Sequence, residues 1–124
     1  MFDHVKFGVS DYAASRTFFL KALQPLGITV TSDWPPNGVE LSAPGGTVSL
    51  CFYQTTEKPA HLHLAFAAKN REQVQAFYRA ALEAGAHDNG PPGLRPQYSG
   101  NYYAAFVIGP DGHNIEAVCH EREA

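Results

Sequence analysis

Two segments of the chain alternate apolar and polar residues, and each is followed by a segment with apolar residues at helical spacing. In residues 2–9 Val5, Phe7 and Val9 share one face of a predicted strand, and His4 lies on the other. In residues 61–67 His63 has the corresponding position. When the chain is shifted so that His4 meets His63, the helical segments that follow also align, which indicates a duplicated module.

The helical segments each have one apolar stripe. The first stripe consists of Phe18, Phe19, Ala22 and Leu23, and the second of Val74, Phe77, Tyr78, Ala81 and Leu82. Capping signals support both helices. Ser10 or Asp11 is the predicted N-cap of the first, Asn70 with Gln73 as its capping-box partner begins the second, and Gly85 ends it.

Strand-like runs separated by glycine and proline turns follow each helix. They lie at about 28–32, 38–42 and 47–53 in the first half, and at about 86–89, 102–108 and 113–120 in the second. The sequence therefore predicts one α+β domain over residues 1–124. It consists of two βαβββ modules, about 1–56 and 57–124, whose strands form a curved mixed sheet cup with the helices outside.

The segment from Asn89 to Asn101 has no counterpart in the first module and is rich in glycine and proline. A long loop in a compact domain is usually functional or disordered. We expect this one to be a lid over the open side of the cup, with Arg95 or Tyr98 reaching a bound ligand. The alternative is a surface excursion that serves only a dimer contact.

Strand alternation places His4, His63 and Glu116 on the faces that the helices leave uncovered. The duplication makes His4 equivalent to His63, and Ser49 equivalent to Glu116. Two imidazoles and one carboxylate, with further positions open, suit one divalent Fe, Mn, Zn, Ni or Co ion. The sequence thus predicts a metal site at His4, His63 and Glu116.

Simpler interpretations compete with this site. A single strand histidine is more often structural than a ligand, and Glu116 has the alternative of an edge position in water. His61 shares the His63 face and is a candidate rim residue that contacts substrate. The three histidines nearest turns or the terminus are expected at the surface: His87, His113 and His120.

Composition narrows the classes of function. A formal charge of −3 and a pI near 6.0 argue against nucleic-acid binding. No apolar run is long enough for a membrane span and no signal-peptide pattern precedes the first strand, which favours a cytoplasmic protein. Cys51 and Cys119 lie in apolar strand-like runs and are expected to be reduced core residues.

The chain resembles the glyoxalase / bleomycin resistance / extradiol dioxygenase superfamily, the vicinal oxygen chelate proteins. The resemblance rests on DHVKFGVSD, SRTFFLKALQPLGI, HLHLAFAAKN, AFYRAALEAG and GPDGHNIEAV, which together span nearly the whole chain. It implies a metal cup whose ligand positions fall on His4, Ser49, His63 and Glu116. Ser49 departs from the carboxylate of glyoxalase I, because a hydroxyl is a poor ligand for these metals.

The resemblance implies a metal-dependent enzyme whose small substrate chelates the cation through neighbouring oxygens. Lyase, isomerase, ring-cleaving dioxygenase and thiol-transferase chemistry all remain open, with Glu116 as a metal ligand that doubles as catalytic base in an isomerase-type reaction. Candidates for substrate binding are Arg95, Tyr98, Tyr102, His61 and Ser49. It also implies a homodimer, with the cup within one chain or shared between two. The rival hypothesis is a binding protein of the bleomycin-resistance type, which captures a small molecule without turnover.

Overall fold

The structure is a computed structural model that describes residues 2–58 and 61–120. The first module contains β1 (His4–Val9), α1 (Tyr12–Leu23), a 3-10 turn (Gln24–Leu26), β2 (Thr29–Trp34), β3 (Gly38–Ser42) and β4 (Ser49–Gln54). The second contains β5 (His63–Ala67), α2 (Arg71–Glu83), β6 (His87–Leu94), β7 (Tyr103–Ile108), a turn (Pro110–Gly112) and β8 (Asn114–Cys119).

Each module forms its own four-stranded mixed sheet. The strand orders are β1-β4-β3-β2 and β5-β8-β7-β6. In each sheet the pair formed by the first and last strands of the module is parallel, and the other pairs are antiparallel. This confirms the predicted α+β fold of two βαβββ modules. It also leaves β1 and β5 at sheet edges, each hydrogen-bonded to one neighbouring strand.

The helices begin where the capping residues predict. The Asp11 side chain accepts a hydrogen bond from the Ala14 amide, and the Asn70 side chain accepts one from the Gln73 amide at 2.8 Å. The Gln73 side chain in turn accepts from the Lys69 amide, one residue before the cap. The bonds from Ala14 and Gln73 satisfy amides that an α-helix leaves unpaired in its first turn.

A single apolar core covers one face of both sheets. The rings of Phe7, Phe19 and Phe52 contact one another at centroid distances of 5.1–6.0 Å. Phe77 from α2 and Ile115 from β8 belong to the same buried cluster. Because strand side chains alternate, burying this face turns the alternate residues of each strand to the opposite side, which we call the open face of each sheet.

The prediction that the segment from Asn89 to Asn101 is one long loop is wrong for its first half, which is a strand. Residues up to Leu94 belong to β6, which pairs with β7 through two register shifts. β6 is an edge strand, where proline is tolerated because one side of the strand needs no ladder partner. Gly90 is required here, since a Cβ would lie 3.0 Å from the Phe106 ring and its φ is +149°. The irregular part is thus confined to residues 95–102.

The expectation that His113 lies at the surface is wrong, since the side chain is fully buried. Its Nδ1 accepts a hydrogen bond from the Leu62 amide at 3.0 Å, and its ring meets the Phe7 ring edge-on at 5.4 Å. Burial lowers the pKa of His113, so the neutral ring is favoured. His113 therefore joins the start of β8 to the segment before β5 and to the first module.

The two cysteines are free and buried, as expected. Among the described residues, no helix has the length and apolar character needed to cross a membrane.

We expect His113 to make stability depend on pH. Because folding lowers the pKa of His113, the unfolded chain takes up the proton more readily, so the free energy of unfolding should fall as pH drops from 7 to 5. His113→Leu should lessen this fall. It should also cost about 1–3 kcal/mol at pH 7, because the partly buried Leu62 amide loses its acceptor.

Urea unfolding at pH 7 and pH 5 measures both effects. Exposed His87 provides the control, and His87→Gln should keep the pH dependence of the unchanged protein. A His113→Leu variant with an undiminished loss of stability at pH 5 would contradict the assignment.

Candidate metal centre

A buried carboxylate lies in the middle of the second sheet. Glu116 is on β8 between β5 and β7, and only 1% of its surface is exposed. Its Oε1 lies 2.7 Å from Nε2 of His63, and its Oε2 accepts a hydrogen bond from the Tyr102 hydroxyl. The alternative of a solvated edge carboxylate is excluded by this burial. Both oxygens have partners, as a buried charge requires.

The contact between His63 and Glu116 follows from strand register. β5 and β8 run parallel, with Ala65 opposite Glu116 and His63 opposite Asn114. Alternation turns His63 and Glu116 to the same open face, with His63 two residues before Ala65, the partner of Glu116 on β5. The His63 ring also meets the Phe106 ring at 6.1 Å, while its side chain remains 54% exposed. One side of the imidazole is therefore fixed and the other is accessible.

Tyr102 lies just before β7 and is held on three sides. Besides its bond to Glu116, its ring contacts the rings of Tyr98 at 4.9 Å and His120 at 5.2 Å. Burial, followed by the hydrogen bond to Glu116, raises the pKa of Tyr102 to about 12. The hydroxyl therefore keeps its proton at neutral pH and donates a hydrogen bond to the carboxylate.

The equivalent positions of the first module carry a different set of contacts. His4 lies opposite Ser49 on the parallel β1–β4 pair, and its Nδ1 is 2.8 Å from the carboxylate of Asp3. The Ser49 hydroxyl donates to Oε2 of Glu40 at 2.7 Å. Glu40 was not among the predicted site residues, although its place between Val39 and Leu41 on β3 shows that it faces away from the core.

Within the described part of one chain, no three His, Cys, Asp or Glu side chains come together as a metal-binding group. His63 and Glu116 do lie together, and imidazole with carboxylate is a donor pair that suits first-row divalent cations. His4 lies on the other sheet, and its ring nitrogen contacts the carboxylate of Asp3. One chain thus brings together two of the three predicted donors, and these two fit a metal in kind.

The remaining predicted residues occupy distinct places. The Arg95 guanidinium donates to the Pro91 carbonyl at 2.6 Å and lies 5.3 Å from the centre of the Phe106 ring, on the open face that carries Glu116. Tyr98 is 61% exposed. His61 lies outside β5, close to Gly112 in the turn before β8. Their roles toward a substrate stay predictions.

A cavity of about 500 Å³ runs along β5 and the start of the first sheet. Both Ser49 and His63 line it, and most of its remaining wall is apolar, with Val5, Leu41, Leu64 and Phe66 among the lining residues. Its size is that of a site for a small organic molecule.

Comparison with known proteins places this geometry in context. The family model described as the Glyoxalase/Bleomycin resistance protein/Dioxygenase superfamily matches residues 1–117. A glyoxalase/bleomycin resistance protein from Albidiferax ferrireducens T118 is 28% identical with a TM-score of 0.80, and the match covers 96% of this chain and 98% of that one. No curated protein matches the chain.

Two further solved structures have the same fold. A putative glyoxalase from Bacillus halodurans is 26% identical with a TM-score of 0.74, covering 96% of this chain and 95% of that one. A glyoxalase-related enzyme from Fulvimarina pelagi is 18% identical with a TM-score of 0.74, covering 96% and 87%. The second of these likenesses shows the fold alone.

We expect Tyr102 to stabilise the protein through its bond to Glu116. Tyr102→Phe leaves a carboxylate oxygen without that donor, so the free energy of unfolding should fall by about 2 kcal/mol. Tyr98→Phe is the matched control, because the exposed Tyr98 hydroxyl has no hydrogen bond among the described residues. Chemical denaturation at pH 7 compares the two, and equal stabilities would show that the Tyr102 bond contributes nothing.

Proposed function

Because the chain belongs to the glyoxalase/bleomycin resistance protein/dioxygenase superfamily, we propose that it is a divalent-metal-dependent enzyme acting on a small substrate with neighbouring oxygens. The proposed ligands are His4, His63 and Glu116. The ion is Fe, Mn, Zn, Ni or Co, and the reaction is of the lyase, isomerase or ring-cleaving dioxygenase type.

The pair of His63 and Glu116 carries the proposal. A carboxylate is expensive to bury in an apolar strand, and it persists where paired groups or a cation offset the loss of water. Here its imidazole partner is half-exposed, so the pair is accessible from the open face. A structural ion pair has no need of this access, whereas a substrate-binding metal does.

The third ligand is proposed to come from a second copy of the chain. His4 lies on β1 and His63 on β5, and both strands have a free edge. Pairing of β1 from one copy with β5 from another would join two sheets into one and bring the two histidines toward each other. It would also cover edges that otherwise promote aggregation. We therefore propose a homodimer in which the cup is shared.

The bound cation would supply Lewis acidity at positions left open for two substrate oxygens. The chain's own residues have separate tasks. Tyr102 holds Glu116 by one oxygen, which fixes the orientation of the other. In an isomerase-type reaction, Glu116 is the proposed base. Arg95 and Tyr98 border the open face of the second sheet and are proposed to orient the substrate. Ser49 and His61 are proposed to contact the substrate at the rim of the cup.

A second function deserves a test because the cavity of about 500 Å³ is mostly apolar. A protein of the bleomycin-resistance type would capture a small molecule there without turnover. The two functions differ in metal content: the enzyme requires a cation, and the binding protein does not.

The metal site is tested by occupancy. Purified protein should hold about one equivalent of a divalent cation per chain, and His63→Ala should lose most of it because an imidazole ligand is removed. His87→Ala removes an exposed histidine on β6 and should change nothing. Elemental analysis measures all three proteins. Equal occupancy in the His63→Ala and His87→Ala proteins would overturn the assignment.

The shared cup is tested by mixing two variants that are each expected to lose the metal. In a shared site, a dimer of one His4→Ala chain and one His63→Ala chain has one site with both histidines and one with neither. Random pairing should therefore restore roughly one quarter of the wild-type metal content.

Each variant purified alone is the control and should stay nearly metal-free. Sedimentation should give a dimer for the unchanged protein. If the mixture stays metal-free although heterodimers form, the cup lies within one chain.

A further inference from the structure

Aromatic residues and glycines alternate across the open face of the first sheet. In the register of the strands, Trp34 on β2 lies opposite Gly38, Gly38 opposite Tyr53 on β4, and Tyr53 opposite Gly8 on β1. A Cβ at Gly38 would lie 3.2 Å from Trp34, and one at Gly8 would lie 3.7 Å from the Tyr53 ring. Gly38 therefore leaves room for Trp34, whereas a Cβ at Gly8 would clash first with the Thr55 side chain, 2.5 Å away.

Both rings are nevertheless accessible. Trp34 is 37% exposed and Tyr53 is 40% exposed, although large aromatic side chains are normally more deeply buried. They border a cavity of about 470 Å³, which is lined only by first-module residues. Gln54, one of the residues that line this cavity, is held in place, because its side chain accepts a hydrogen bond from the Tyr12 amide and donates one to the Ser10 carbonyl at the start of α1.

The ammonium group of Lys6 lies close to both rings. Nζ of Lys6 is 4.8 Å from the centre of the Trp34 ring and 5.4 Å from that of the Tyr53 ring, within the range of a cation–π interaction. None of the ion pairs among the described residues includes Lys6. Glu40 lies on the same face, and its Oε2 accepts a hydrogen bond from the Ser49 hydroxyl.

We propose that Lys6, Trp34 and Tyr53 form a binding site for an aromatic carboxylate. The flat apolar rings offer stacking area to a planar ligand, and the ammonium held between them offers a charge-assisted hydrogen bond to the carboxylate. The side-chain amide of Asn37, at the same cavity, is a further donor. The site contains none of the proposed metal ligands, but it shares the open face of the first sheet with His4, so its test uses metal-free protein.

The competing interpretation is that the rings merely hold Lys6 in place. In that case Lys6 would contribute to the stability of the fold and not to ligand affinity, and neutral or cationic aromatic compounds would bind as well as anionic ones. Charge selectivity therefore separates the two interpretations.

Trp34 is the only tryptophan of the chain, so its fluorescence reports directly on this site. Metal-free protein, prepared with a chelator, is titrated with benzoate, benzyl alcohol and benzylamine. Benzoate should change the fluorescence saturably, and the neutral and cationic compounds should bind at least about fivefold more weakly, because they lack the contact with the ammonium.

Variants locate the effect. Lys6→Met should weaken benzoate binding about tenfold, and Lys6→Arg should retain it. Lys69→Met removes a lysine outside this cavity and should leave the affinity unchanged. Calorimetry with Trp34→Leu should show a comparable loss, and thermal unfolding confirms that each variant is folded.

No saturable change with benzoate, equal affinity for benzylamine, or equal affinity in Lys6→Met and Lys69→Met would each overturn the proposal. Metal occupancy of the same preparations before chelation tests the metal site separately, so failure of one proposal is distinguishable from failure of the other.

Discussion

One apolar core has to cover a face of both sheets, and this constraint determines where chemistry is placed in the molecule. The rings of Phe7, Phe19 and Phe52 fill that core together with side chains from α2 and β8. Since strand residues alternate, every strand that contributes to the core presents its other residues on the open face. The positions of the histidines and the carboxylate on the open faces thus follow from the burial of the apolar side chains on the opposite faces.

The two open faces are chemically unlike, although the modules share one topology. The second sheet has a buried patch of Ala104, Phe106 and Val118 around its carboxylate, so charge there is shielded from water. The first sheet carries Lys6, Glu40 and Ser49 among exposed rings, so charge there stays hydrated. The duplicated fold therefore carries a buried, paired carboxylate on one open face and exposed rings beside a lysine ammonium on the other.

Sequence patterns predicted the parts of this structure that depend on periodicity. The module order, both N-caps and the shared face of His63 and Glu116 follow from spacing alone. The exceptions depend on tertiary context. β6 is a strand despite its prolines because it lies at an edge, and His113 is buried because its turn folds onto Phe7. Whether His4 joins the pair depends on how modules assemble, which no local pattern encodes.

The burial of Glu116 has a consequence for how the protein can change over evolution. Replacing a buried, hydrogen-bonded ion group by well-packed apolar residues of similar size is often neutral or stabilising, whereas removing one partner alone is destabilising. Methionine at 116 together with phenylalanine at 102 would thus be a route to a more heat-resistant chain. That route is closed as long as the carboxylate is needed. If the proposed metal site requires Glu116, the second sheet stays below the stability that an apolar β8 could reach, and homologues without that requirement would be the ones to drift toward an entirely apolar β8.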